Sequence, residues 1–326
     1  MKRALSKASP VLKVLFGAGI FVWMAASGKL DLAQIAKGFA HWPLMLAILG
    51  LGYCQIGIMV WRWRLLLHAQ GIPLSVRRTW GLTMIGLLFN VAIPGAVGGD
   101  LIKGYYITRA TAGRKTHAAT SIAMDRVTGL IGLLFLAAAM VLANLSETLR
   151  SPATRSLGAL TVVGFLGGLA ALYAALFAGG RLSRWSFLPR MARNVFSALH
   201  EYRQKSSVVP VALALSVLNQ AITCGSFYLA LRSAAVTGIP LGQFFLIVPL
   251  GLVTTAVPIS PAGVGVGQAA FFALFRIVAP SYATAGTAGF TVFQAMFILL
   301  CLSGLFWYIP YRHADLAETP NPSRSA

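Results

Sequence analysis

Residues 80–110 read WGLTMIGLLFNVAIPGAVGGDLIKGYYITRA, an apolar run broken near its centre by Pro94, Gly95, Gly98 and Gly99 and followed at once by Asp100 and Lys103. Each half holds only about 10 to 15 residues, which at 1.5 Å per residue falls short of a hydrocarbon layer about 30 Å thick. Proline removes an amide donor and glycine frees the backbone, so the break leaves peptide groups without helical partners. At membrane depth such groups are tolerated only where protein or a water-filled cavity surrounds them. The stretch therefore reads as a re-entrant hairpin. A pair of tightly turned full spans is the other reading, and it raises the span count without moving the break.

That a bilayer is the solvent follows from the rest of the chain. Of 326 residues, 57% are hydrophobic and 10% charged, and the mean hydropathy is +0.76. Such a composition excludes a globule with a polar skin. Apolar runs long enough to cross fall at about 11–27, 42–61, 118–143, 157–178, 208–231 and 284–309, which predicts six spans. A second broken run, LGQFFLIVPLGLVTTAVPISPAGVGVGQAAFFALFR at 241–276, matches the first in kind. The expected fold is all-α, a polytopic integral membrane helix bundle with two re-entrant hairpins. One membrane domain takes the whole chain, in halves of about 1–156 and 157–312, with a disordered tail at 313–326.

Lys and Arg number 27 against 7 Asp and Glu. In a soluble protein that excess points to nucleic acid; here the basic residues sit in short loops, where they set orientation, and no nucleic-acid partner is expected. With the N-terminus inside and each hairpin returning to its own side, Lys29, Lys37, Arg150, Arg155, Arg232 and Arg276 fall outside. Arg126 is intramembrane, and the other 20 basic residues lie inside. The count predicts a bacterial inner-membrane protein with both termini cytoplasmic. It also favours an uncleaved first span over a signal peptide cut near Ala25-Ala26-Ser27. The basic stretch 179–207 reads as a cytoplasmic helix on anionic headgroups. Cys54, Cys224 and Cys301 lie in separate apolar runs and read as packing residues. The five histidines lack ligand spacing, so no metal or other cofactor is expected. Trp23, Trp42, Trp61, Trp63, Trp80 and Trp307 read as an interfacial belt.

At a shift of 164 residues Ala92, Pro94 and Gly99 fall on Ala256, Pro258 and Gly263, and Asn90 falls on Thr254. Under the charge-derived topology the hairpins enter from opposite sides, so the halves form an inverted repeat of the kind alternating-access transporters use. Around the breaks stand the candidate lipid-binding residues: Asn90, Pro94, Gly98, Gly99, Asp100, Lys103, Arg109, Asp125 and Arg126 near the first, and Pro258, Gly263, Gly265 and Gln268 near the second. Asp100 and Asp125 are the acidic residues within the apolar architecture, and an unpaired charge there costs on the order of 2.5–3.5 kcal/mol. Pairing among Asp100, Asp125, Lys103, Arg109 and Arg126 is therefore expected. Such pairs either lock the hairpin to the third span or take part in binding, and the two roles are compatible. The glycines let backbone come close to a headgroup or to another helix.

The run NVAIPGAVGGDLIKGYYITRA followed by AATSIAMDRVTGL resembles the membrane region of the lysylphosphatidylglycerol synthetase family, also described as flippase-like membrane proteins. The later VPISPAGVGVGQAAFF looks like the family's second signature. A glutamate is common near Gln268 in that signature, and its absence leaves a proton relay there unsupported. The resemblance implies an inner-membrane protein that moves lipids: anionic or aminoacylated phospholipids, isoprenoid-linked lipids, or hopanoids in stand-alone relatives tied to hopanoid synthesis. Larger members add an aminoacyl-transferase domain; without one, this chain is expected to be a transporter and not to lysylate lipid itself. Membrane lipids are the implied partners, with lipid-synthesis enzymes as further ones. A membrane-embedded transferase and a scaffold for a lipid-synthesis complex are the competing readings.

Overall fold

A computed structural model describes residues 15, 18–92, 98–110, 114–183, 187, 189–255 and 260–310. The described secondary structure is helical. Five helices are long and apolar enough to cross a membrane: α2 (Trp42–Ala69), α5 (Lys115–Ala143), α7 (Pro152–Leu182), α9 (Val208–Ser233) and α12 (Ala283–Leu302, within an apolar helical stretch that continues to Pro310). They meet five of the six predicted spans. The predicted first span lies partly outside the described residues; 18–26 is helical. Among the shorter helices are α1 (Leu32–Ala40), α3 (Val76–Ala92), α4 (Gly98–Ala110), α6 (Leu145–Leu149), α8 (Arg190–Gln204), α10 (Leu241–Thr255) and α11 (Val266–Val278).

Composition explains the layers. The spans are apolar on all sides, as helices must be when one face meets protein and the other lipid. α7 lies outermost, with Leu160, Val163, Leu166 and Phe177 exposed as lipid-facing residues are. At the centre α9 packs against α2, α5 and α12. Small residues set that approach: a methyl group at Gly132 of α5 would strike Ser216 of α9, and one at Gly289 of α12 would strike Leu231.

The two broken stretches form two pairs of short packed helices, α3 with α4 and α10 with α11. With 17, 13, 15 and 13 residues, they extend roughly 20–26 Å, less than a bilayer core. α4 lies against α5, and α11 against α12. The 3₁₀ turn Pro261–Gly263, which follows α10, touches α3. Pro94 and Pro258 lie outside the described residues.

α8 falls within the basic stretch 179–207. Its amphipathic sequence fits a headgroup-lying helix, yet one face packs on α7 and α5. Tyr202, fully buried, donates its phenol to the Leu66 carbonyl at 3.2 Å. Burial raises that phenol well above its ordinary range, keeping it a neutral donor. Gln70 Nε2 donates to Ala198 O at 2.8 Å, Lys205 Nζ to Ala69 O at 2.9 Å, and His117 pairs with Glu201 at 3.0 Å. α8 thus clamps the ends of α2 and α5.

Candidate functional site

Asp125 and Arg126 lie about three turns inside α5. Neighbours on a helix diverge by about 100°, so the two charges reach different partners. Asp125 turns to α2, where Arg62 Nε donates to its Oδ1 at 2.7 Å; Arg62 Nη1 also donates to Ser216 Oγ of α9 at 2.8 Å. This inner pair ties three spans together and is sealed, its side chains 6% and 10% exposed. Gly129, one turn on from Asp125, leaves the guanidinium its space: a methyl there would come within 3.3 Å of Nη1.

Arg126 turns to α4. Its Nε donates to Asp100 Oδ2 at 2.6 Å and its Nη2 to Oδ1 at 3.0 Å, the parallel fork that suits guanidinium to a carboxylate or a phosphate. This outer pair is open, with the Arg126 side chain 49% and the Asp100 side chain 19% exposed. One turn along α4, Lys103 is buried. Its stem lies against Gly86 of α3, where a methyl would come within 2.5 Å of the chain, and its ammonium sits 4.9 Å from the centre of the Trp63 ring. Trp63 is fixed by donating to Ser121 Oγ at 3.3 Å. Lys103 lies within electrostatic range of Asp100, Asp125, Arg62 and Arg126. None of the carboxylates among the described residues pairs with it, against expectation. Among the described residues, Arg62, Arg126 and Lys103 thus stand against Asp100 and Asp125.

The remaining candidates separate. Asn90 Oδ1 accepts the Gly99 amide at 3.0 Å and so caps α4 from across the break. Gly98 and Gly99 are buried, and a methyl on Gly99 would collide with the Gly86 carbonyl. These two serve close packing. Arg109 donates to the Tyr105 hydroxyl at 2.7 Å and lies 5.1 Å from that ring's centre.

At the second break Gln268 is fully buried. Its Oε1 accepts the Gly265 amide at 2.7 Å, its Nε2 donates to Gln294 Oε1 at 2.6 Å, and Gln294 Nε2 donates to Ala262 O at 2.8 Å. Ala262, Gly263 and Gly265 have φ of 50°, 72° and 80°. That left-handed backbone is cheap for the glycines and costly for Ala262, whose carbonyl the Gln294 bond restrains. Ser260 Oγ is buried with no partner among the described residues. The arrangement is neutral, and it joins the break to α12.

Arg62 was missed because Trp61-Arg62-Trp63-Arg64 looks like the charged, aromatic edge of a span. α2 runs eight residues farther, which places Arg62 inside the bundle and moves Trp63 from an interfacial belt into the core. The available signal was a demand: Asp125 needed a cation that its neighbour Arg126 was unable to supply.

The model of the family described as the lysylphosphatidylglycerol synthase TM region matches residues 11–303. The match reaches the family and not a hopanoid-associated subgroup. No curated protein and no solved structure matches the chain.

Proposed function

Because the chain belongs to the lysylphosphatidylglycerol synthase transmembrane-region family, we propose that it binds a lipid with a phosphate-bearing headgroup at the crease between α4 and α5 and carries that headgroup across the bacterial inner membrane. The observation that carries this reading is the unequal pairing: two carboxylates against Arg62, Arg126 and Lys103, with the outer fork open and the inner pair sealed. A phosphate at Arg126 takes the place of the Asp100 carboxylate in the same bidentate geometry and supplies the counter-charge Lys103 lacks. Asp100 is then the resting partner to which Arg126 returns when the headgroup leaves. The acyl chains stay in lipid beside the exposed Leu101 and Tyr105 of α4. On this reading α3–α4 and α10–α11 are re-entrant hairpins of inverted halves, entering from opposite faces with both termini cytoplasmic.

The inner pair has another role. Arg62, Asp125 and Ser216 hold α2, α5 and α9 in register whether or not lipid is bound. Headgroup accessibility of fluorescent lipids in proteoliposomes tests the proposal, with wild type compared against Asp100→Asn and Arg126→Gln at matched folding. Faster transfer of one lipid class by wild type, abolished by Arg126→Gln, is the expected result. No transfer across a panel of anionic, aminoacylated, isoprenoid-linked and hopanoid lipids would sink it in favour of a scaffold, and turnover of a donor group by the pure protein would make it a transferase.

A further inference from the structure

The end of α7 and the face of α8 enclose a cavity of about 530 Å³, apart from the ion pairs. Ala174, Phe177 and Arg181 recur on one face of α7 at helical spacing, and His200 and Arg203 on one face of α8. Together they line the cavity. Gly179 and Gly180 allow the close approach: a methyl on the first would come within 2.8 Å of the Phe196 carbonyl, and one on the second within 2.8 Å of the His200 ring. The lining thus carries three basic side chains, and among the described residues none of them has a carboxylate partner. His200 Nδ1 is buried without a hydrogen-bond partner, as is Arg193 Nε two turns earlier. The Arg203 guanidinium carbon lies 4.4 Å from the centre of the Phe177 ring. That contact joins the cationic rim to an apolar floor.

We propose that this cavity binds the phosphate of an anionic membrane lipid, with an acyl chain along Phe177 and Ala174. A soluble anion would use the rim alone. A lipid uses both parts, because α7 is an apolar helix of membrane-spanning length and the cavity runs from its cationic end on to its lipid-facing side. Occupancy would hold α8 down on α2 and α5, whose ends it clamps through Tyr202, Gln70 and Lys205.

Native mass spectrometry of the full chain, titrated with phosphatidylglycerol or phosphatidylcholine, tests this. Wild type is expected to retain phosphatidylglycerol in preference to phosphatidylcholine, and Arg126→Gln, which removes the fork at the crease, still to retain one. Arg181→Gln with Arg203→Gln weakens that retention roughly thirtyfold, and the paired lysine replacements keep most of it. Should the double glutamine variant fail to fold, the exposed Arg181→Gln alone is read, with a loss of roughly fivefold. Equal retention of both lipids by wild type, or unchanged retention in the glutamine variants, overturns the proposal. Displacement of the lipid by millimolar inorganic phosphate also overturns it, in favour of a soluble-anion site. Retention of that one lipid by Arg126→Gln separates this cavity from the crease at α4.

Discussion

The two broken stretches each form a pair of short packed helices and are filled in opposite ways. In the first, Gly86 of the leading helix makes room for the stem of Lys103; in the second, Gly251, next to the Leu250 that the repeat aligns with Gly86, makes room for the ring of Phe271. Phe271 stacks on Phe290 and Phe227 at centroid distances of 4.2 and 5.1 Å, whereas Lys103 reaches toward ion pairs. Both breaks are closed by a neutral side-chain amide accepting a helix-start N–H, Asn90 from the preceding helix and Gln268 from the following one. One helix-start amide at each break is thus met in the same way, and on the proposed reading the charged filling of the first serves a ligand. The second pair of short helices is filled by aromatic packing instead.

The largest effect belongs to the inner pair that seals the charged region. Arg62→Ala leaves Asp125 buried without its cation, and thermal unfolding in detergent should show a loss of about 4–5 kcal/mol. The double replacement Arg62→Met, Asp125→Leu should recover most of it, since the penalty comes from an orphaned charge. If the single variant costs less than the next one, the first half is not held by charge. Phe271→Ala comes second, at about 2–3 kcal/mol. Lipid is as apolar as the side chain, so the transfer part of a large-to-small loss nearly vanishes and the cavity part remains.

Hydropathy made the spans legible, since runs of about 20 apolar residues permit little else. The Pro and Gly clusters made the two short-helix pairs legible for the same local reason. What escaped were side-chain partners separated in sequence. Asp125 visibly needed a cation, but Arg62, 63 residues earlier, looked like a boundary charge because the Trp-flanked RWR pattern ends an apolar run. Lys103 and Asp100 have the spacing of a helical pair, yet Arg126 takes the carboxylate with a fork that an ammonium lacks. Gln268 was legible as a departure from the family's usual glutamate; its role as a cap depends on Gln294, which no local pattern marks.

Gln268→Ala sharpens the contrast between the breaks. It strands the Gly265 amide and Gln294 Oε1 in a buried place, which should cost about 1–2 kcal/mol in the same unfolding assay. Lipid transfer should fall only in proportion to folded protein. A transfer loss well beyond that proportion would assign the second break a direct part in moving lipid and end the view of it as a passive support.

Asp100→Asn should have the smallest effect on stability, below about 1 kcal/mol, because the outer pair is half open to its surroundings. Its effect on transport tests the comparison most directly. The change keeps the shape of the side chain but removes the anion that competes with a headgroup phosphate for Arg126. Binding of an anionic lipid should therefore tighten, roughly fivefold if the pair contributes up to about 1 kcal/mol. The maximal transfer rate should fall, because nothing then draws Arg126 off the departing phosphate. Half-saturating lipid and maximal rate thus move down together, a split that a purely structural lock does not produce. If both stay at wild-type values the outer pair is only a surface tie between α4 and α5. If half-saturating lipid rises instead, Asp100 contacts the lipid itself, and the headgroup it recognises carries a positive charge.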